Sequence, residues 1–259
     1  MVNLKNNNVA VKHFVLFLTF LFFFSCGPHR NYVTRIEGKQ IGINNSQPET
    51  AAIDAFVKPY REHIDEDLSA ILAYAPETLE KFTGEWQTNI GNFMSDVTMQ
   101  RCTPIFKTRE NLQIDICLLN HGGIRAGIAK GNVTARTAYE VMPFENSAIV
   151  VALKGEQLKE IATYIIKEHK PHPLSGMTFT ISKDKTPKDI LVGGNPLNTE
   201  KTYYVVTSDY LANGGDNMAF FKKFVAKYDL DYKLRNILID YFKDVDTLEV
   251  RHDQRISVE

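Results

Sequence analysis

The run Asn120-His121-Gly122-Gly123-Ile124-Arg125 follows directly on an apolar, strand-like segment at residues 114–119, and no other feature constrains the chain as tightly. A strand that empties into a polar, Gly-rich turn carrying an Asn and an Arg brings a hydrogen-bonding amide and a fixed cation into one small space. That is an arrangement for holding a charged ligand.

Two further runs sharpen the reading: Met142-Pro143-Phe144-Glu145-Asn146, and Asp209-Tyr210-Leu211-Ala212-Asn213-Gly214-Gly215-Asp216. Together the three supply aromatic faces at Phe144 and Tyr210, amides at Asn120 and Asn146, a guanidinium at Arg125 and a carboxylate at Asp216. A nucleotide uses each of these groups: rings stack on its base, amides meet the base edge, a carboxylate accepts from paired ribose hydroxyls, and Arg meets phosphate. Folding alone would require only the turn glycines Gly122, Gly123, Gly214 and Gly215, not the ligand-type side chains between them.

The formal net charge is -1, from 30 Lys and Arg against 31 Asp and Glu. Without a basic excess the chain lacks the electrostatic footprint of a nucleic-acid binder, whereas a small anion needs only a local cluster of cations.

Lys5 and Lys12 precede an apolar run at residues 14–24 that stops at Ser25-Cys26. The run is short for a spanning helix, which needs about 20 apolar residues, and it reads as an export signal. A small residue followed by Cys at such a position resembles the lipobox of bacterial lipoproteins, which implies lipidation at Cys26 and a periplasmic, membrane-anchored protein; an ordinary secretory signal or a retained short anchor are the alternatives. The remaining Cys102 and Cys117 could bridge in an exported protein, but Cys117 lies inside the apolar segment and reads equally as a small core residue.

The expected organisation is therefore a signal over residues 1–26, a tether with a hairpin (33–36 against 40–43) over residues 27–48, and one domain over residues 49–259. Within that domain Pro48 opens a helix with Ala52, Phe56 and Tyr60 on one side. Residues 69–74 and 78–82 are strand candidates. Residues 89–101 have helical spacing through Ile90, Phe93, Met94 and Val97, behind a start at Thr88-Asn89 whose backbone donors suit an anion. Thr134 caps a short helix ending near Met142; residues 148–153, 177–181 and 203–207 read as strands, and residues 155–170 and 234–242 as helices. Residues 182–200, rich in Lys, Pro, Gly and Asn, read as a hairpin or excursion. Irregular interleaving of strands and helices predicts an α+β fold, a mixed sheet with helical layers, and argues against a doubly wound parallel one.

In order and spacing, Thr88-Asn89-Ile90-Gly91-Asn92-Phe93 through Asp96, residues 119–125, Gly131-Asn132-Val133-Thr134 leading to Pro143-Phe144-Glu145-Asn146, and residues 210–216 resemble the C-terminal, substrate-binding domain of the 5'-nucleotidase family, which includes periplasmic UDP-sugar hydrolases and ecto-5'-nucleotidase. The resemblance implies a base sandwiched by Phe144 and Tyr210, polar contacts from Asn120 and Asn146, phosphate at Arg125 and ribose at Asp216. Two positions depart from it. Relatives often carry a further arginine just before the Thr88-Asn89 turn or inside the helix, where this chain has Gly84-Glu85-Trp86-Gln87 and Asn92; and Tyr210 stands where Phe is common.

Full-length members hydrolyse phosphate esters with a second, N-terminal domain that holds two metal ions through Asp, His and Asn. No Asp-x-His, Gly-Asn-His-Asp/Glu or Gly-His-x-His run occurs in this sequence, and no Gly-x-Ser-x-Gly elbow replaces it. His169 and His172 flank Lys170-Pro171 as a surface loop, and His121 reads as a turn residue or a ligand contact. The expectation is thus no metal or catalytic residue here, with divalent metals on a separate metallophosphatase chain. The ligand is a nucleotide, nucleoside or nucleotide sugar. This is either the specificity half of a split 5'-nucleotidase or a non-catalytic periplasmic binding lipoprotein.

Overall fold

The computed structural model describes residues 4–22, 32–42, 44 and 50–259. The chain divides into two compact units, Met1–Ala51 and Ala52–Glu259. In the first, helix α1 spans Leu4–Phe22, and Cys26 lies outside the described residues. Among the described residues no helix is long and apolar enough to cross a membrane. Residues 32–42 carry no strand and are exposed, so the hairpin expected there does not form over them. Two isolated strands bury too little apolar surface to be stable without a third layer.

Helix α2 (Ala51–Ser69) begins at the last residue of the first unit and otherwise belongs to the second; its Phe56 and Tyr60 do meet, ring centroids 5.7 Å apart, although no residue of the helix is buried. Then follow β1 (Ile71–Ala75), α3 (Asn89–Glu110), β2 (Ile116–Leu118), β3 (Gly131–Thr134), α4 (Ala135–Val141), β4 (Ser147–Lys154) and α5 (Gly155–Glu168). After these come β5 (Leu174–Ser175), β6 (Met177–Ile181), β7 (Pro187–Val192), β8 (Asn195–Pro196), β9 (Thr202–Ser208), α6 (Asp209–Ala212), β10 (Ala226–Lys233), α7 (Leu234–Asp244) and β11 (Ile256–Val258).

The organising element is a five-stranded mixed sheet in the order β10-β4-β9-β2-β5. Strand β4 within it is a continuous apolar run buried on both faces, the pattern of a strand covered by helices on each side. Alternation along the pleat then sorts its side chains. Ala148 and Val150 join Val206 and Cys117 in the core packed by α3 and α7, while Ile149, Val151 and Leu153 join Ile116, Leu118 and Val205 in the core packed by α5. Cys102 and Cys117 are buried free thiols, and burial pushes the Cys102 thiol up to about 12. They serve as core, with no bridge.

Helix α3 runs nine residues beyond the expected Arg101, through Pro104 to Glu110. A proline inside a helix removes one backbone bond, yet fully buried Phe106 keeps the apolar stripe in the core and offsets that loss. Residues 78–82 form no strand. Leu79 makes only a single bridge to Ile128 before the chain turns outward at Phe82, which is 85% exposed.

The C-terminal tail is tied down by one buried guanidinium. Arg255 meets Asp96 Oδ2 at 2.6 Å, Ser95 Oγ at 3.1 Å and the Leu174 carbonyl at 2.5 Å, while Gln87 Oε1 accepts from the Arg255 backbone N at 2.7 Å. This lets β11 pair in parallel with β6. We expect Arg255→Ala to lower unfolding free energy by about 3 kcal/mol, because it strands Asp96 in a largely buried position; urea denaturation at neutral pH measures it.

Candidate functional site

Sheet topology brings the three sequence runs to one edge. Strands β2 and β9 are parallel neighbours, with Cys117 opposite Val206, so the loops leaving their C-terminal ends emerge side by side. Strand β4 is antiparallel to β9 and its Ala148 lies opposite Ser208, which places the loop entering β4 at the same edge. Residues 120–125, 143–146 and 209–216 are therefore neighbours despite their separation in sequence.

Contacts between the loops form a closed circuit. Asn120 Nδ2 donates to Asp216 Oδ2 at 2.7 Å, and the Tyr210 hydroxyl donates to Asp216 Oδ1 at 2.8 Å. Asp209, next to Tyr210, accepts from Asn146 Nδ2 at 2.8 Å, joining the loop of Phe144 to that of Tyr210. The Arg125 guanidinium lies 5.8 Å from the Phe144 ring centroid and donates to the Gly122 carbonyl at 3.3 Å, which closes the circuit back to the first loop. All six predicted side chains thus belong to one circuit of linked loops, in which Asn146 acts as a strut. Phe144 and Tyr210 remain 43% and 47% exposed, leaving ring surface uncovered.

Glycines are required where the loops approach most closely. A Cβ on Gly215 would sit 2.5 Å from the Tyr210 ring, and one on Gly123 would sit 2.7 Å from Asn120 Oδ1. Gly214 takes φ 87°, a left-handed conformation that side chains disfavour.

Sequence reasoning missed the cation beside Arg125. Lys81, seven residues before Thr88, comes to the same side, and its pKa is lowered by partial burial and then by the Arg125 charge. Its ammonium stands 5.4 Å from the Phe82 ring, which in turn packs edge-on against His121 at 6.2 Å. A second cation thus stands within electrostatic reach of Arg125. At the start of α3, by contrast, the donors are taken: Thr88 Oγ1 accepts from Gly91 N at 3.0 Å, and Asn89 Oδ1 from Ile90 N and Glu80 N at 2.8 Å each.

The expectation of a surface loop at both His169 and His172 holds only for the first. His169 is the exposed C-cap of α5, its ring tilted against that of Trp86 with centroids 4.4 Å apart. His172 is 3% exposed, and its Nδ1 accepts from the His121 backbone N at 3.2 Å, bracing the Asn120 loop from behind. Tyr164, whose ring is 5.5 Å from that of His172, donates to the Asp216 carbonyl at 2.7 Å and braces the opposite loop. The only advance signal was the Pro171-His172-Pro173 spacing just before β5. Among the described residues no group of three or more His, Cys, Asp or Glu side chains converges to hold a metal ion.

A cavity of about 750 Å³ lies elsewhere, between α3, β5–β7 and the C-terminal tail. Its charges are paired among themselves, Arg255 with Asp96 and Asp253 and Arg251 with Glu249. Chemistry, not size, therefore marks the loop edge as the candidate site.

Mixed-sheet topology and helical layers, with aromatic, amide, acidic and basic groups gathered at one sheet edge, define the class: an α+β domain with a polar loop cluster. The family model for the 5'-nucleotidase C-terminal domain matches residues 74–223, and the chain belongs to that family. It is 24% identical to an apyrase of Tabanus yao over 88% of this chain and 45% of that protein, and 26% identical to a 5'-nucleotidase of Vibrio cholerae over 70% of this chain and 32% of that protein. The crystal structure of a 5'-nucleotidase precursor from Thermus thermophilus superposes with a TM-score of 0.66 at 26% identity, covering 80% of this chain and 42% of that one. The chain thus spans less than half the length of these relatives.

Burial holds the His172 pKa down at about 4, against an ordinary 6.5. Between those values the unfolded chain binds the proton and the folded one does not, so this contribution to stability is complete above about pH 6.5 and is lost as pH falls toward 4. Urea titrations at pH 7 and pH 5 should show a drop in stability on the order of 2 kcal/mol from this group, and His172→Asn should remove that part of the slope.

Proposed function

We propose that this protein is the nucleotide-specificity unit of a split 5'-nucleotidase, working with a metallophosphatase on a separate chain. The observation that carries the reading is the closed circuit of contacts, which joins two part-exposed rings, a tethered carboxylate and the Arg125 cation into one cradle. In this reading Phe144 and Tyr210 stack on the base, Asn120 and Asn146 contribute polar contacts and hold the loops, Asp216 meets the ribose, and Arg125 with Lys81 faces the phosphate side.

The contribution to catalysis is positional. Holding the nucleoside part still converts encounter with the partner's metals into a local event, and the cations beside Phe144 orient the ester toward them. Hydrolysis itself belongs to the partner, whose divalent metals would activate the attacking water. The ring exposure supports this arrangement, because the open side of the cradle is available for a second unit to close.

Calorimetry with a panel of nucleotides and UDP-sugars, together with phosphate release measured with and without a candidate metallophosphatase chain, tests the reading. Phe144→Ala or Tyr210→Ala should weaken binding by about 1 to 3 kcal/mol, the usual loss for a base-stacking ring. Unchanged affinity in both variants, or phosphate release by this chain alone, would remove the reading.

We further propose that the protein is exported and anchored by a lipid on Cys26, following Lys5, Lys12 and the apolar run that ends before it. Cys26→Ser should shift the protein from the membrane to the soluble fraction, and an unshifted distribution counts against the anchor.

A further inference from the structure

We propose that the Tyr210 hydroxyl is a sugar-discriminating group: by locking the Asp216 carboxylate in place, it makes the site select a ribose diol over a deoxyribose. The inference rests on the nucleotide reading of this site and adds a role that a phenyl ring at the same position would lack.

Asp216 is held at every polar atom. Its backbone N donates to the Tyr210 hydroxyl oxygen at 3.1 Å while that hydroxyl donates to its Oδ1 at 2.8 Å. Its Oδ2 accepts from Asn120 Nδ2 at 2.7 Å, and its carbonyl accepts from the Tyr164 hydroxyl at 2.7 Å. The backbone conformation makes this convergence possible. Asp216 sits at φ 50° and ψ 28°, and Asn217 follows at φ 60°. Two successive non-Gly residues in the left-handed region persist only where surrounding contacts over-determine them, and such strain concentrates at functional sites. On the ring side, the backbone at Gly215 lies so close that even a Cβ would collide with Tyr210, so ring and carboxylate move as one body.

The consequence follows from counting acceptors. Each oxygen of an ionised carboxylate has two lone-pair sites, and here one on each oxygen is filled by the protein. One acceptor on each oxygen remains, fixed in direction by the tethers behind it. A vicinal diol offers two donors at matching spacing, whereas a deoxyribose offers one and leaves a fixed acceptor unpaired. Specificity by hydrogen bonding is strongest where the acceptor cannot relax to another partner. A phenylalanine would keep the stacking surface but release Oδ1 and the Asp216 N–H, letting the carboxylate turn to solvent.

The test compares affinities of the purified full chain for adenosine and uridine, each beside its 2'-deoxy and 3'-deoxy counterpart, in the wild type and in Tyr210→Phe. The wild type should prefer the ribonucleoside by about tenfold or more, the loss of one hydrogen bond to a charged group. In Tyr210→Phe that ratio should collapse to about two- to threefold. Asn120→Ala, which removes the tether on the other oxygen, should move the ratio the same way and serves where the first variant folds poorly. An unchanged ratio, or an equal weakening of ribo and deoxy ligands, would make the hydroxyl merely structural and overturn the proposal while leaving the cradle intact. A wild type that binds nucleosides without ribose preference overturns it too. A wild type that binds no nucleoside or nucleotide at all instead overturns the functional reading beneath it.

Discussion

The Asp216 carboxylate, held between Asn120 and Tyr210, is the interaction on which the candidate site depends. Its two partners come from different loops, and the Asn120 contact bridges 96 positions of sequence. A carboxylate at a half-buried turn has to be satisfied, and the nearest donors are an amide from one loop and a phenol from its own. Satisfying it fixes the mutual position of the loops. The aromatic plate at Tyr210, the amide turn at Asn120 and, through Asp209 and Asn146, the loop of Phe144 then have little freedom relative to one another.

That convergence is prepared by the sheet. Parallel pairing of β2 with β9 and antiparallel pairing of β9 with β4 bring two strand exits and one strand entry to the same edge. Two cores on opposite faces make the sheet rigid, because β4 alternates its side chains between them. A rigid frame under short, glycine-bearing loops is the arrangement that allows side chains on loops to be held with little positional error. The same logic explains the bracing behind the site, where His172 supports the turn at His121 and Tyr164 supports the backbone at Asp216. Neither residue needs to touch a ligand for the cradle to depend on it.

Electrostatics give the cradle a direction. Lys81 lies within electrostatic reach of Arg125, whose charge adds to burial in lowering the lysine pKa, while the carboxylate of Asp216 is held by the neutral donors Asn120 and Tyr210. In the proposed function, an anionic group would meet Arg125 and a hydroxyl-bearing group would meet Asp216. That proposed role is compatible with a near-neutral chain, because cations act locally without any excess of charge overall.

The sequence by itself determined the family and most of the framework, and it placed the candidate loop residues. Local signals were enough for the long amphipathic helices α3, α5 and α7, for the buried strand β4, for the Thr134 cap and for the loop residues Asn120, Arg125, Phe144, Asn146, Tyr210 and Asp216, because periodicity and glycine-bearing turns are properties of short stretches. Tertiary structure alone decided what depends on distant partners. The short strand β11 exists only because Arg255 and Gln87 hold the tail against β6, and α3 passes Pro104 only because Phe106 is buried beyond it. Likewise, His172 became a buried brace through a contact with His121, 51 positions away. Such roles leave no periodic trace in sequence, since they arise from the energy of meeting a partner and not from the preference of any single residue.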